Sequence, residues 1–470
     1  MDRGKSSKAG QPGRQREEFM AVIAPFCGLR YNLAKVPNME AVVTPPYDVI
    51  DAEAQVAFMA KNPYNMIHLD LSKNFKADQL TEARYAGARS LFESWQAEGV
   101  LVRDAVPAIY LYHVEYRLPS GERRTRKGLL AQVQLAEFSE GVVKPHEKTF
   151  ASAISDRLRL LDTCHAQFSP IFSLYSDAQG AVMQCLEAAQ PQPLCSATDH
   201  DGCVHRLWAV TDPATLDQVR ELFRARALYI ADGHHRYTTA LQFRALMRER
   251  LGSVAPESPY NHTMMYLCPM EEPGLAILPT HRLVRAPGRL AVDDLLARFA
   301  GAFTVEEVRD GGRESLVVEL LGKMADTPTG QTSFGLYHAA ADRSFLLTMK
   351  EGAMERFAGH HPAALRDLDV VALSDLIFDK FLALDKSRCV QGDLLEYYSD
   401  ADEALDKAVK EAEGAPDSTP LLFFMNATLV SQVRRVADEG LVMPHKSTFF
   451  YPKLLTGLLL NKIVPDEAIR

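Results

Sequence analysis

Apolar residues recur with two different periods along the chain. Over residues 77–98 they return at the spacing of one helix face, as Leu80, Ala83, Ala88, Leu91 and Trp95. Over residues 108–118 and 128–135 they form strand-like runs on either side of the turn sequence PSGER, which predicts a β-hairpin. Because helices and strands are mixed in this way, the sequence predicts an α/β or α+β fold.

The clearest local unit consists of a strand, a turn and a helix. Residues 227–231 (ALYIA) form a short apolar run that is typical of a buried strand. Residues 237–250 have the period of a helix. The segment between them, residues 232–236, has the sequence DGHHR and is predicted to form the turn.

The character of the sequence divides the chain into four parts. Residues 1–18 are polar and lack the apolar run of a secretory signal, so we predict a disordered tail. We then predict an N-terminal α/β unit over 19–125, a core with the DGHHR segment over 126–288, and a C-terminal α/β unit over 289–470. No run approaches the ~18 apolar residues of a membrane span, which predicts a cytoplasmic protein without membrane contact.

Composition narrows the class of protein further. Of 470 residues, 47% are hydrophobic and 24% are charged, which is ordinary for a globular protein. The net charge of -9 disfavours a protein that grips a nucleic-acid backbone. The seven cysteines include no C-x-x-C pair, so neither a disulfide framework nor a cysteine zinc site is indicated. We expect a small-molecule substrate as the partner, and a homodimer is the expected assembly if there is one.

The DGHHR segment places four ionisable side chains at the exit of a buried strand. A helix N-terminus presents unpaired N–H groups that bind anions, and Gly233 permits a tight turn. Arg236 suits a phosphate, and His234 and His235 can donate hydrogen bonds or carry protons. Asp232 suits Mg²⁺ or the role of a base. Alternatively, Asp232 only caps the helix and the histidines are solvated.

Two other clusters carry related chemistry. VKPHEKTF (143–150) sets His146 and Glu147 among lysines, where a glutamate suits a general base or a metal ligand. MPHKSTFFYPKLLTGL, near the C-terminus, carries Lys446 and Lys453, which suit a phosphate clamp. A solvated surface loop explains either cluster equally well. The sequence alone therefore leaves open whether the clusters form one site.

At these motifs the chain resembles the family called domain of unknown function 1015. The matching segments span about residues 19–460 and run in family order, from FCGLRYN and VVTPPYDVI through VKPHEKTF, YIADGHHRYTTAL and LAILPTHRLV to VMPHKSTFFYPKLLTGL. The strand–DGHHR–helix unit is also similar to the phosphate-binding box of the ParB/sulfiredoxin superfamily. That resemblance implies a ParB/sulfiredoxin-like core with additional flanking α/β units.

Within that superfamily, free-serine kinases carry a D-G-H-H-R box and an upstream glutamate that serves as base. The resemblance implies that Glu147, Asp232 and His235 are catalytic, with Asp232 as the metal ligand. The resemblance also implies that His234 and Arg236 bind phosphate or nucleotide, and the residue patterns described above add Gly233, His146, Lys446 and Lys453 to this predicted set. Mg²⁺ is the implied cofactor and ATP the implied donor, with ADP or pyrophosphate as alternatives.

Three classes of function fit these residues. The first, which we expect, is a kinase that moves a phosphate onto the hydroxyl of a small metabolite such as serine. The second is a nucleotide-binding regulatory protein of ParB-like type that transfers nothing. The third is a metal-dependent hydrolase. A sulfiredoxin activity is disfavoured because His234 stands where those enzymes need a cysteine, and we find no helix-turn-helix for DNA.

Overall fold

The computed structural model describes residues 21–72, 82–189, 193–308, 312–328, 330–384, 388–389, 394–414 and 417–469. The tail predicted over residues 1–18 and the predicted helical residue Leu80 lie outside these ranges. Within the ranges, every helix is too short or too polar to cross a membrane.

Strands and helices are interspersed along the chain. The strands are β1 (Ile23–Ala24), β2 (Leu29–Tyr31), β3 (Leu101–Arg103), β4 (Ile109–Arg117), β5 (Arg123–Gln134), β6 (Val143–Lys144), β7 (Ala166–Gln167), β8 (Ile171–Tyr175), β9 (Cys195–Thr198), β10 (Val204–Val210), β11 (Leu228–Asp232), β12 (His262–Pro269), β13 (Ala276–Leu278), β14 (His281–Pro287), β15 (Phe303–Val308), β16 (Ser333–His338), β17 (Arg343–Met349), β18 (Leu395–Tyr398), β19 (Ser418–Phe424), β20 (Phe449–Tyr451) and β21 (Asn461–Lys462). The helices are α1 (Ala52–Lys61), α2 (Ile67–Asp70), α3 (Glu82–Ala97), α4 (Ala151–Cys164), α5 (Ala181–Ala188), α6 (Pro213–Phe223), α7 (His234–Leu251), α8 (Val292–Phe299), α9 (Arg313–Ala325), α10 (Ala353–Ala358), α11 (Ala363–Arg366), α12 (Asp369–Val371, continued as a π-helix over Ala372–Phe381), α13 (Ala401–Gly414) and α14 (Val430–Asp438). This mixture confirms the predicted α/β or α+β class.

The larger sheet has nine strands among the described residues, in the order β6-β11-β8-β12-β5-β4-β10-β9, with β1 added on β5. β4 and β5 pair in antiparallel fashion up to Arg117 and Arg123, which confirms the predicted hairpin. β5 crosses the boundary predicted between residues 125 and 126, so the N-terminal and core units share this sheet. β6 and β11 are parallel neighbours, and their chains therefore leave the sheet at the same edge.

A second sheet belongs to the C-terminal half. Its order is β15-β17-β16-β19-β14-β18, and its strand pairs are antiparallel. It begins at β14, before the boundary predicted between residues 288 and 289. After α14 the chain returns toward the larger sheet through residues 443–458, here called the returning segment. Its strand β20 pairs with β13, and Thr456 forms a bridge with Thr44. Lys453 of this segment contacts Asp232 of β11, and Lys446 contacts Glu147 in the loop after β6.

The buried face of helix α3 differs in part from the face that the sequence predicted. The residues that it buries are Tyr85, Ala88, Phe92 and Trp95, at helical spacing. Ala83 and Leu91 are exposed, so the predicted face was wrong at these two positions. Large aromatic rings remove more apolar surface from water than alanine does. They therefore turn the helix slightly from the face that the aliphatic pattern indicated.

Candidate functional site

The DGHHR segment connects β11 directly to α7. The helix begins at His234, and not at the predicted residue 237. Gly233 stands before it with φ of +92°, and a Cβ there would lie 2.9 Å from the Nε of Arg236. The first intrahelical hydrogen bond runs from the Tyr237 N–H to the Gly233 carbonyl, at 3.0 Å. The N–H groups of the preceding turn therefore have no acceptor within the helix and are available to an anion.

Asp232 binds one cation with each carboxylate oxygen. Its Oδ1 accepts a hydrogen bond from the Nζ of Lys453 at 2.6 Å, and its Oδ2 accepts one from the Nη2 of Arg236 at 2.5 Å. Burial alone would raise the pKa of Asp232, but the two cations outweigh burial and hold the pKa below its usual value. Lys453 is 221 residues from Asp232 in the chain. Distant segments are thus joined at this carboxylate.

Glu147 faces the same turn from the loop after β6. Its Oε1 accepts hydrogen bonds from the Nδ1 of His445 at 2.8 Å and from the backbone N–H of Lys446 at 3.4 Å. Its Oε2 lies 3.9 Å from the Nδ1 of His234. Burial would raise the pKa of Glu147, but the His445 hydrogen bond and the nearby imidazoles lower it to about 2. Glu147 is therefore a carboxylate at neutral pH.

The histidines of the site act as neutral hydrogen-bonding groups. The Nε2 of His235 accepts from the Phe150 N–H at 2.9 Å, and the Nε2 of His234 accepts from the His146 N–H at 3.3 Å. His146 itself pairs with the hydroxyl of Thr448 at 3.1 Å. Burial, aided by the neighbouring His146, lowers the pKa of His234 to about 3, and burial also lowers the pKa of His146 and His235.

We expect the fold to lose stability as the pH falls below about 6.5, because the unfolded chain protonates His234 first. The loss from this one group is up to about 1.4 kcal/mol per pH unit. It continues toward the folded-state pKa of His234, about 3. Denaturant unfolding of the wild type and of His234→Gln at neutral and mildly acidic pH should give a shallower dependence in the variant. His200→Gln, at an exposed position, should match the wild type. Equal slopes in wild type and His234→Gln would contradict this account.

A cavity of about 350 Å³ brings the predicted residues together. The predicted residues that line it are Glu147, Asp232, Gly233, His234, His235, Arg236, Lys446 and Lys453. His146 is the one predicted site residue outside this lining, and its ring contacts that of His234 edge-on at 4.6 Å between centroids. Tyr47 and Asp48 of the PPYD loop complete the wall. The three sequence clusters therefore form one composite site.

Lys446 sits in a strained turn of the returning segment. Its φ of +56° is uncommon for a residue with a side chain. The turn is fixed from both sides, because the Lys446 N–H donates to Glu147 and its carbonyl accepts from Arg282 at 3.2 Å. Within the part of the chain that the structure describes, no carboxylate pairs with the Lys446 ammonium. Strain of this kind collects at functional sites, where the surroundings hold it in place.

His445 is a site residue that the sequence reasoning missed. It hydrogen-bonds to Glu147 and its ring packs edge-on against that of Phe150, 5.2 Å between centroids. A signal for it was present, because residues 143–150 and 442–449 share the pattern V-x-P-H-x-x-T-F. The structure sets the two copies side by side, with the Met443 N–H donating to the His146 carbonyl at 2.8 Å.

The fit of the expected magnesium ion depends on which carboxylate oxygens are available. Both oxygens of Asp232 already contact a cation, so its role as a metal ligand stays a prediction. The exposed Asp48 and the Oε2 of Glu147 line the same cavity and offer the oxygen ligands that Mg²⁺ prefers. The wall holds equal numbers of cations and carboxylates, Arg236, Lys446 and Lys453 against Asp48, Glu147 and Asp232. A bound polyphosphate would add negative charge, which a divalent cation offsets.

Other groups of potential metal ligands lie outside this cavity. Among the described residues, one group consists of His360, His361 and Asp375, and another of Asp199, His200 and Asp201. None of these residues lines the cavity at the DGHHR turn. Among the described residues, this cavity therefore lacks a histidine-rich metal centre of the kind that the hydrolase alternative would use.

A comparison against protein families covers the motifs described above except the C-terminal segment over residues 442–458. The family model described as "Protein of unknown function (DUF1015)" matches residues 23–371. The chain belongs to this family. No curated protein matches the chain.

Solved structures similar to this chain share little sequence with it. A conserved hypothetical protein from Pyrococcus furiosus is 14% identical, with a TM-score of 0.29, over 69% of this chain and 90% of that one. A free serine kinase in complex with AMP is 13% identical, with a TM-score of 0.31, over 69% and 86% of the two chains. SbnI with a C-terminal truncation, from Staphylococcus aureus, is 11% identical, with a TM-score of 0.32, over 70% and 85%.

Proposed function

We propose that this chain is a phosphotransferase that moves a phosphoryl group from a nucleotide to the hydroxyl of a small metabolite. One observation carries the proposal: a helix N-terminus, the cations Arg236, Lys446 and Lys453, and the carboxylate of Glu147 face a single cavity. Phosphoryl transfer needs charge stabilisation and positioning of the nucleophile more than covalent chemistry. This cavity offers both within reach of one ligand.

The phosphate side of the site consists of the helix α7 N-terminus and the cations. Asp232 holds Lys453 and Arg236 on opposite oxygens, so their positions are fixed before a ligand arrives. Preorganised donors cost little reorganisation during a reaction. Lys446 lines the same cavity and adds a further positive charge. We assign the transferred phosphate to the space between these groups.

The acceptor side is Glu147 with its partner His445. The hydroxyl oxygen of the acceptor attacks phosphorus, and the bond from phosphorus to the bridging oxygen of the nucleotide breaks. The electron pair leaves with the shortened nucleotide, and the hydroxyl proton passes to Glu147. With a pKa of about 2, Glu147 is a weak base that mainly orients the hydroxyl, which suffices for a loose transition state. Mg²⁺, held by Asp48, would neutralise charge on the phosphates and leave Glu147 free to receive the proton.

A neighbouring cavity of about 500 Å³ suits the nucleoside. It shares Lys446 and Phe449 with the cavity of about 350 Å³ at the DGHHR turn, here called the phosphate cavity, and Tyr397 of β18 also lines it. Aromatic rings of this kind stack on bases without requiring one sequence or base identity. The base and ribose of a nucleotide would thus occupy this neighbouring cavity, while its phosphates occupy the phosphate cavity.

The proposal is tested by phosphorus NMR of the purified chain with Mg²⁺, a donor (ATP, ADP or pyrophosphate) and hydroxylated metabolites that include serine. A new phosphomonoester signal is expected with the wild type and not with Glu147→Gln. Stabilisation of the chain by nucleotide without any product would instead support the regulatory alternative, because ligand binding stabilises by mass action.

Gly233→Ala is expected to weaken nucleotide binding and to cost about 1–3 kcal/mol of stability. The added Cβ would meet Arg236, and the φ of +92° strains alanine. Gly180→Ala is the matched control, since Gly180 also precedes a helix with positive φ but lies away from the cavity. Thermal shifts with and without ADP should separate the two effects. Equal ADP responses in both variants would show that Gly233 has no special role.

A further inference from the structure

A cavity of about 620 Å³ next to the phosphate cavity has no part in the function proposed so far. It shares Phe150 and His445 with that cavity. Its volume lies within the roughly 300–1,000 Å³ of typical small-molecule sites. A ligand in it would therefore end beside the Glu147–His445 pair.

The wall of this second cavity is largely aliphatic and aromatic. Apolar side chains from α12 and its π-helical continuation face others from β18 and from the returning segment: Val371, Phe378, Leu395 and Met443. Such a lining stabilises a bound apolar ligand because water is excluded from both apolar surfaces. A ligand as small and polar as serine would leave most of this apolar lining without a contact.

The wall also contains the charged residues Lys148, Asp375 and Asp379, which are exposed or half-buried, whereas its buried charged residue is Arg282. It is 4% exposed, and its guanidinium donates to the carbonyls of Thr280 at 2.6 Å and Lys446 at 3.2 Å. No acidic side chain pairs with it within the described ranges, although buried charges are normally paired. Its planar fork matches a carboxylate. The motif LPTHRLV that contains it is not explained by the phosphate site.

Arg282 and Glu147 contact opposite ends of the same residue. Arg282 holds the carbonyl of Lys446, while Glu147 accepts from the Lys446 N–H. The buried cation and the candidate base are thus separated by a single peptide turn. One molecule with an acid group and a hydroxyl group can reach both.

We propose that this second cavity binds the acceptor, and that the acceptor is a hydroxy acid with an apolar chain. Its carboxylate pairs with Arg282, its chain lies among the apolar side chains, and its hydroxyl points toward Glu147 and His445. The assignment rests on the proposed phosphotransfer, which it makes specific for a class of substrate.

Ligand-observed NMR tests binding directly, with hydroxybutyrate, hydroxyhexanoate and hydroxyoctanoate as probes. Octanoate lacks the hydroxyl and octanediol lacks the acid, so they separate the two contacts. We expect affinity to rise with chain length and octanediol to bind at least tenfold more weakly than hydroxyoctanoate. Arg282→Gln should weaken hydroxyoctanoate at least tenfold, whereas octanediol, which has no acid group to pair with Arg282, should bind the variant as it binds the wild type.

A second variant guards against misfolding of Arg282→Gln. Leu365→Trp fills the cavity from a half-buried wall position, and Val318→Trp places the same ring on an exposed site elsewhere. Only Leu365→Trp should block hydroxyoctanoate. Equal binding by all chain lengths, or unchanged binding in Leu365→Trp, would overturn the assignment.

Phosphorus NMR with the same probes distinguishes the two proposals. Binding of hydroxyoctanoate without any phosphomonoester would retain the hydroxy-acid cavity and reject the phosphotransferase. A phosphomonoester of serine without binding of hydroxyoctanoate would retain the phosphotransferase and reject this acceptor class.

Discussion

Asp232→Ala is expected to abolish phosphoryl transfer and to destabilise the fold by roughly 3–5 kcal/mol, the cost of breaking a buried ion pair from one side. The variant leaves Lys453 and Arg236 without the carboxylate that they share. Because the Asp232 side chain is 15% exposed, water offsets part of the cost and the lower end of this range is expected. Urea unfolding and phosphorus NMR measure the two effects.

A second buried ion pair, away from the cavity, serves as the control that separates loss of stability from loss of function. Asp177 pairs with Arg226 at 2.7 Å, its side chain is 2% exposed, and it does not line the cavity. Asp177→Ala should cost a similar stability but keep phosphoryl transfer at temperatures where it remains folded. If Asp232→Ala retained wild-type turnover, Lys453 and Arg236 could not be the phosphate-binding groups.

Glu147→Gln is expected to lower turnover by about 10²–10⁴-fold, the range for loss of a positioned base. Glutamine keeps the shape and an oxygen for the His445 hydrogen bond but cannot take the hydroxyl proton. Nucleotide affinity should change only a few-fold, because the cations and the helix N-terminus are untouched. Steady-state kinetics and calorimetry would measure the two quantities separately.

The acid limb of the pH–rate profile gives an independent check on Glu147. Since its pKa is lowered to about 2, it stays ionised down to mildly acidic pH, and activity should not fall there on its account. The stability that Glu147 contributes is present above its ordinary pKa of 4.5 and disappears as the pH falls toward about 2. Glu137→Gln, at a 57% exposed position, is the control for both measurements. Wild-type turnover in Glu147→Gln would reject its assignment.

The fold class and its clearest elements could be predicted because their signals are local. The β4–β5 hairpin, the buried strand β11 and helix α7 follow from periodicity and turn residues within a few neighbouring positions. Helix starts were less accurate. Helix α7 begins at His234 rather than at the predicted residue 237, because Gly233 adopts a left-handed conformation that no periodic pattern reports.

By itself, the sequence determined the candidate residues: the DGHHR turn, Glu147, and the lysines of the returning segment. Only the tertiary structure decided that they meet, since Lys453 and Asp232 are joined by the return of the C-terminal segment along β13 rather than by any local pattern. It likewise decided that His445 belongs to the site, because its partner Glu147 is 298 residues away. Contacts between residues that are hundreds of positions apart arise from the packing of sheets and loops, and a periodic pattern in the sequence carries no information about that packing.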